Sequence, residues 1–210
     1  MDKPPTIRRL VEQPMIIQAA HHVVGSLKTM MFSENGLREQ PVFIVVTEGG
    51  RRWSGLLESH WLRQTGFRMT SVCVEAKSYQ GSQRGALSVE FDYVVDRLIK
   101  SLSRERIVVV VDDIIDSGAT LDAICKGIRE RSECEIIAAP MIYKQAHSMS
   151  TRIRFAPREP FWLPMPDLPP NQTVPCVAGF ELSNGPFIIG YGLDYKGQYR
   201  DLDYIAEYLP

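Results

Sequence analysis

The chain has 210 residues, a formal net charge of −1 and a hydrophobic fraction of 44%. That is enough apolar residue to build a sizeable core in a domain of ordinary size. The near-neutral balance argues against general affinity for nucleic acid or anionic membrane. No apolar run approaches the roughly 20 residues of a membrane span, and the opening "MDKPPTIRRL" lacks the apolar stretch of a signal peptide. Cys73, Cys125, Cys134 and Cys176 are scattered, with no CxxC pair and no metal-ligand spacing. Cys73 and Cys125 fall inside strand-like or helical patterns, where buried thiols are expected. A reduced, cytoplasmic protein fits this usage, and the formal glycosylation triplet at Asn171 is read as chance.

In chain order, "MIIQAAHHVVGSLKTMM" (15–31) spaces Ile16, Ala19, Ala20, Val23, Val24, Leu27 and Met31 as a helix does. His21 and His22 lie in it. Adjacent helical positions point in different directions, so the two do not ligate one metal together. "PVFIVV" (41–46) is a short apolar strand, followed by "TEGG" and a helical "RRWSGLLESHWLRQ". "MTSVCVEA" (69–76) is a second strand, and the polar "KSYQGSQRGALS" reads as a loop. "FDYVVDRLIKSL" has a helical period, "RIVVVV" is a third strand, "ATLDAICKGIRERS" a helix and "EIIAAPMIY" a fourth strand.

Uninterrupted Val/Ile strands suit a sheet covered on both faces, and helices of a dozen residues between them imply parallel crossovers. The expected fold is α/β, a mostly parallel twisted sheet flanked by helices. Ligands of such sheets bind at the carboxyl ends of the strands. Here those ends read "TEGG", "KSY", "DDIIDSGAT" and "YK". Beyond Lys144 the pattern breaks, and the proline-dense stretch from Phe155 to Pro175 forbids a regular helix or central strand. It reads as an irregular excursion or an insert. Apolar segments resume at "CVAGFEL" and "FIIGYGLDY" and suggest a small antiparallel subdomain built partly from the C-terminus. The expected organisation is a single domain over residues 1–210, with a core at about 36–144, the insert at about 155–175 and the small subdomain at about 176–210.

The stretch "RIVVVVDDIIDSGATLDAI" (106–124) concentrates the chemistry. A buried strand ends at Val111, and Ser117, Gly118, Ala119 and Thr120 precede or open a helix. Small side chains, tolerance of positive φ, hydroxyls and a helix N-terminus let backbone N–H groups converge on an anion. The lysine of a nucleotide-triphosphate loop is missing. Asp112 and Asp113 would repel a bare phosphate, but they suit a ligand that carries a diol or a divalent cation beside it. A simple helix cap needs one acid, and three are present.

"VVVVDDIIDSGATL" resembles the phosphoribosyl-pyrophosphate motif of type I phosphoribosyltransferases. "GFELSNGPFIIGYGLDYKGQYRDLDYIAEYLP" is similar to the tail of the 6-oxopurine (hypoxanthine-guanine and xanthine) phosphoribosyltransferases. With "YK" at Tyr143–Lys144 and "KSY" at Lys77–Tyr79, the likeness covers most of the chain beyond about Pro41; the proline-dense segment looks longer than is usual. The resemblance implies the type I phosphoribosyltransferase fold with a hood formed from both termini. It also implies transfer of phosphoribose to N9 of hypoxanthine, guanine or xanthine with Mg²⁺, in a homodimer or homotetramer.

Residue by residue, the resemblance implies that Asp112 and Asp113 bind the ribose hydroxyls or Mg²⁺ and that Ser117, Gly118, Ala119 and Thr120 bind the 5′-phosphate. Asp116 would act as general acid/base near N7 of the purine. Lys144 would donate to O6, a role that selects a 6-oxo over a 6-amino base. Phe187 would stack on the base with the Ile188 backbone at its edge, and Asp194 would bind Mg²⁺. Thr47, Glu48, Gly49 and Arg200 would address pyrophosphate, in a loop that carries an unusual cis peptide in relatives. Ser78 and Tyr79 would belong to a lid that excludes water. Alternatives stand beside these roles: Phe187 as ordinary core, Lys144 as a surface lysine, and Arg200 paired with Asp201 or Asp203. Glu48 departs from the basic residue often found there, and Arg51 and Arg52 are placed to compensate. The rival functions are a non-catalytic sensor on the same fold and an enzyme for another acceptor.

Overall fold

A computed structural model describes residues 6–33, 36–37, 39–78, 87–145, 152–165, 173–183 and 187–209. The chain begins with β1 (Thr6–Val11), α1 (Gln13–Met31) and the short strands β2 (Phe32–Ser33) and β3 (Gly36–Leu37). It continues through β4 (Val42–Thr47), α2 (Gly50–Thr65), β5 (Thr70–Ser78), β6 (Leu87–Glu90) and α3 (Tyr93–Lys100). Next come β7 (Ile107–Val111), β8 (Ile114–Ile115), α4 (Ala119–Arg129), β9 (Glu135–Ala138) and β10 (Ile142–Gln145). The last strands are β11 (Arg152–Phe155), β12 (Phe161–Pro164), β13 (Thr173–Cys176), β14 (Phe180–Ser183), β15 (Phe187–Ile189) and β16 (Ile205–Leu209).

A seven-stranded sheet runs in the order β12-β13-β9-β7-β4-β5-β6. The strands from β13 to β5 are parallel to their neighbours, with β12 and β6 antiparallel at the two edges. Helices cover both faces, as the Val/Ile runs require. Phe43, Val45, Val109 and Val111 pack with α1 and α2 on one face. Ile44, Val46, Val108 and Val110 pack with α4 and with Val95 and Ile99 of α3 on the other. All five residues of β7 are buried; each such side chain contributes about 1.5–3 kcal/mol relative to an exposed one. α3 is capped by Asp92, whose side chain accepts from the Val94 and Val95 N–H groups, both at 2.8 Å.

Three local outcomes differ from the sequence pattern. "EIIAAPMIY" is split, because Pro140 cannot donate to a ladder. β9 stays in the main sheet while β10 enters a second sheet in the order β11-β14-β10-β8. The Trp53 indole secures the bend by donating to the Ala139 carbonyl at 3.1 Å. The proline-dense stretch also contains regular strand: β12 pairs antiparallel with β13, and β13 reaches β9 through Cys176 opposite Ala138. That contact lies one residue past Pro175, so the missing proline N–H does not interrupt it. Finally, Cys73 is exposed while Cys125, Cys134 and Cys176 are buried, all four as free thiols. Burial along β5 alternates at Cys73 and Val74, since one face of this strand near the sheet's edge meets solvent.

β1, β16 and β15 form a separate antiparallel sheet that joins the two ends of the chain, while β14 runs parallel to β10 in the second sheet. The end of "KSYQGSQRGALS" pairs with β5 as β6. Ser78 closes β5, and Tyr79 lies outside the described residues, as does Asn171.

Candidate active site

The carboxyl ends of β4 and β7 open onto a cavity of about 330 Å³. Val111 delivers the chain to Asp112 and Asp113, whose carbonyls accept from Met141 N (2.9 Å) and Ile142 N (3.0 Å) on the β9–β10 connection. The two acids are therefore fixed by backbone on a neighbouring element. Asp113 N–H donates to Asp112 Oδ1 at 2.9 Å, and Ile114 N–H donates to Asp113 Oδ1 at 2.8 Å. Burial, and then the charge of Asp113, pushes the Asp112 carboxyl well above the usual carboxylate range. Burial also raises Asp113, against hydrogen bonds from Asp112 and Ile114 and the charge of Arg200.

The anion cradle follows at once. Gly118 has φ +81°, a left-handed conformation glycine adopts at no steric cost. It turns the chain into α4, whose first residues Ala119 and Thr120 line the cavity with Ser117 and Gly118. Amides at a helix N-terminus are ready donors to an anion. Opposite them, Thr47, Glu48 and Gly49 lead from β4 into α2, and the Thr47–Glu48 peptide is cis. A Cβ on Gly49 would overlap the Asp113 carboxylate, so glycine there lets the two loops meet.

The C-terminal segment closes the remaining side. Asp194 and Arg200 both line the cavity, and their side chains pair at 2.8 Å. Arg200 also donates to the Gly192 carbonyl at 2.9 Å and lies 3.8 Å from the Glu48 carboxylate. Asp201 and Asp203 take no part in these contacts. Arg52 clasps the same segment by donating to the carbonyls of Arg200 (3.3 Å) and Leu202 (2.6 Å), with its guanidinium over the Tyr191 ring. The compensation expected of the two arginines is thus not made in the cavity: Arg52 is engaged in the clasp, and Arg51 lines an adjoining hollow with Cys73 and Glu75.

Asp116 also lines the cavity, and it accepts from the Lys144 ammonium at 2.8 Å. Lys144 lines a smaller hollow of about 170 Å³ that shares Asp116, Ser117 and Gly118. Its other wall is Leu163, Pro164 and Met165, a contribution of the proline-dense stretch for which the sequence carried no signal. Thr47, Glu48, Gly49, Asp112, Asp113, Asp116, Ser117, Gly118, Ala119, Thr120, Asp194 and Arg200 are therefore brought together, with Lys144 adjoining. Phe187 and Ile188 do not line either hollow. Phe187 is 51% exposed, edge-on to Tyr195 at 5.2 Å between ring centroids, whereas Ile188 is buried in the core.

A parallel sheet carrying an anion cradle and a buried acid pair at its strand ends matches a known class. The family model of the phosphoribosyl transferase domain fits residues 16–153, and the chain belongs to that family. Among curated relatives, the hypoxanthine-guanine phosphoribosyltransferase of Mycobacterium tuberculosis is 30% identical over 115 residues, 53% of this chain and 46% of that protein. The chain thus spans about half the length of the first such relatives it matches. The enzyme of the same name from Streptococcus pneumoniae is 26% identical over 201 residues, 94% of this chain and 90% of that protein. A solved structure of a mutant hypoxanthine phosphoribosyltransferase from Trypanosoma cruzi, complexed with the product IMP, shares the fold. It has a TM-score of 0.70 at 22% identity and covers 100% of this chain and 94% of its own.

Proposed function

We propose that this protein transfers the phosphoribosyl group of phosphoribosyl pyrophosphate to N9 of a 6-oxopurine (hypoxanthine, guanine or xanthine), releasing pyrophosphate. The observation that carries the reading is the cavity that joins the Asp112–Asp113 pair, the Ser117–Thr120 cradle and Asp116, which pairs with Lys144 of the adjoining hollow. One end suits a sugar phosphate, and the other a base with a carbonyl beside a ring nitrogen.

In this reading Ser117, Gly118, Ala119 and Thr120 hold the 5′-phosphate, and Asp112 and Asp113 accept from the ribose hydroxyls. The new bond forms between N9 and C1′ as the bond from C1′ to the pyrophosphate oxygen breaks. Asp116 takes the proton that the base loses, through N7. Lys144, a donor with no acceptor, addresses O6 and disfavours a 6-amino group. Arg200, with Thr47, Glu48 and Gly49 around it, receives the departing pyrophosphate. Phe187 would stack on the base and the Ile188 backbone would meet its edge, while Ser78 and Tyr79 would belong to the lid that excludes water.

The donor set fits Mg²⁺. Asp112, Asp113 and Asp194 line one cavity and offer the hard carboxylate oxygens this ion takes. Mg²⁺ is usually held by one or two carboxylates together with a substrate's phosphates. When bound, Mg²⁺ offsets the charge that builds on the pyrophosphate. Assembly as a homodimer or homotetramer belongs to the same proposal and rests on the resemblance, and a cytoplasmic location rests on the cysteine usage.

Pyrophosphate release followed with hypoxanthine, guanine, xanthine and adenine in turn tests the base assignment. Release with the 6-oxopurines is expected; release with adenine alone would contradict it. The ion pairing of Arg200 with Asp194 and Glu48 favours one second reading, a sensor that binds the donor without turnover. Calorimetric binding of the donor with no product from any base would establish that instead.

A further inference from the structure

Away from the active-site cavity, α1 and the turn after β11 enclose a hollow of about 340 Å³. His21, His22, Ser26, Thr29 and Arg158 are among its walls. The Gln64 amide nitrogen lies 3.1 Å from His21 Nδ1. The His21 ring stands edge-on to that of the buried His60, with centroids 5.6 Å apart. His22 Nε2 lies 3.3 Å from Arg158 Nη2, which can only donate, so this ring is an acceptor. Ser26 Oγ donates to the Arg158 carbonyl at 2.6 Å and ties the turn to the helix. Three imidazoles are thus gathered near an exposed guanidinium whose backbone is tied to the helix.

The surrounding charge is mostly positive. Arg63 and Arg158 act on the cluster, and the Lys28 ammonium is bonded to the Gln64 carbonyl at 3.2 Å. Arg154, on β11, is engaged by Glu181 at 2.8 Å. Glu159 is the acid among the residues lining the hollow.

We propose that this hollow is a second anion site, for a small tetrahedral dianion of the phosphate or sulfate class, whose binding is coupled to proton uptake by His22 and His60. The dianion would accept from Arg158 and from protonated imidazoles, which are stronger donors than neutral ones. The electrostatics agree. Burial first, and then Arg158 and His21, hold the His22 pKa below its usual value, while burial, His21 and Arg63 do the same for His60. A dianion opposes the charge contributions, and by linkage the proton and the anion favour one another. The hollow is larger than a bare oxyanion needs, so a phosphate monoester is a second source of the same chemistry.

The test is NMR of the histidine Cε1–H resonances of the whole chain, titrated with sodium sulfate against sodium chloride at equal ionic strength. Saturable movement of the His22 and His60 signals toward their protonated positions, with sulfate alone, is expected. By linkage the dissociation constant should fall as the pH is lowered from 7.5 to 6.0. Arg158→Gln, at an exposed position, should remove the response while leaving the thermal midpoint in place. Ribose 5-phosphate saturating these signals at lower concentration than inorganic phosphate would identify a monoester as the occupant. The proposal is overturned by movement that chloride reproduces, by a response unchanged in Arg158→Gln, or by sulfate effects confined to the amides of Ser117 to Thr120.

Discussion

The Lys144 ammonium lies 2.8 Å from the Asp116 carboxylate. The contact follows from register: parallel pairing of Tyr143 with Ile115 leaves the next residue of each strand side by side. With the Asp116 side chain 62% exposed, such a pair contributes about 0–1 kcal/mol to stability. Both residues can therefore be changed without unfolding the chain. Asp116→Asn should lower kcat by about 10²–10⁴-fold, the usual weight of a positioned acid/base group, with the KM for the sugar donor little altered. Lys144→Gln should instead act on the base: kcat/KM for hypoxanthine should fall by about 10–100-fold, the worth of one charged hydrogen bond. Steady-state kinetics of both variants separates the two roles, and equal effects on donor and base would remove the distinction.

Arg200 is held between Asp194, at 2.8 Å, and Glu48, at 3.8 Å. An incoming pyrophosphate must compete with Glu48 for it. Glu48→Gln should lower the KM for phosphoribosyl pyrophosphate by about two- to fivefold, the range of an exposed ion pair, with kcat nearly constant. A raised KM would mean that Glu48 assists binding, for instance by addressing Mg²⁺.

The thiols should divide sharply. Burial pushes Cys125 up to about 12 and raises Cys134 and Cys176 above the ordinary thiol range. The thiolate is the reactive form, so these three should resist iodoacetamide at pH 8 in the native protein. Cys73 is exposed. Mass spectrometry should find one labelled cysteine in the folded chain and four in urea.

Acid should weaken the fold through α1 and α2. His22 and His60 have folded pKa values below the 6.5 of the unfolded chain. The folded state therefore binds fewer protons; the contribution is complete above pH 6.5 and is lost as pH falls through 6.5 toward the folded values. Urea midpoints should drop between pH 7.5 and 5.5 in a weakly bound anion such as chloride, and His60→Gln should reduce the drop.

Much of the fold and the site is legible in the order of residues alone. "RIVVVVDDIIDSGAT" announces a strand buried on both faces and a loop whose acids and hydroxyls must face a ligand, because nothing apolar could use them. Its residues do meet in one cavity with Thr47 to Gly49, Asp194 and Arg200. What a linear pattern could not carry is contact between distant segments. Arg52 reads as a helix-surface arginine until its guanidinium meets the Leu202 carbonyl, and Leu163 to Met165 read as irregular chain until they form a wall beside Lys144. Phe187 and Ile188 share a motif in sequence, yet the first is half exposed and the second is core. Alternation along β15 sends neighbours to opposite faces.

The central claim concerns what is joined to what, and product analysis tests it most directly. Purified protein with phosphoribosyl pyrophosphate, Mg²⁺ and hypoxanthine should yield an N9-linked nucleoside monophosphate and pyrophosphate in equal amounts, measured together by mass spectrometry and ³¹P NMR. Pyrophosphate accompanied by ribose 5-phosphate, with no base incorporated, would contradict the account.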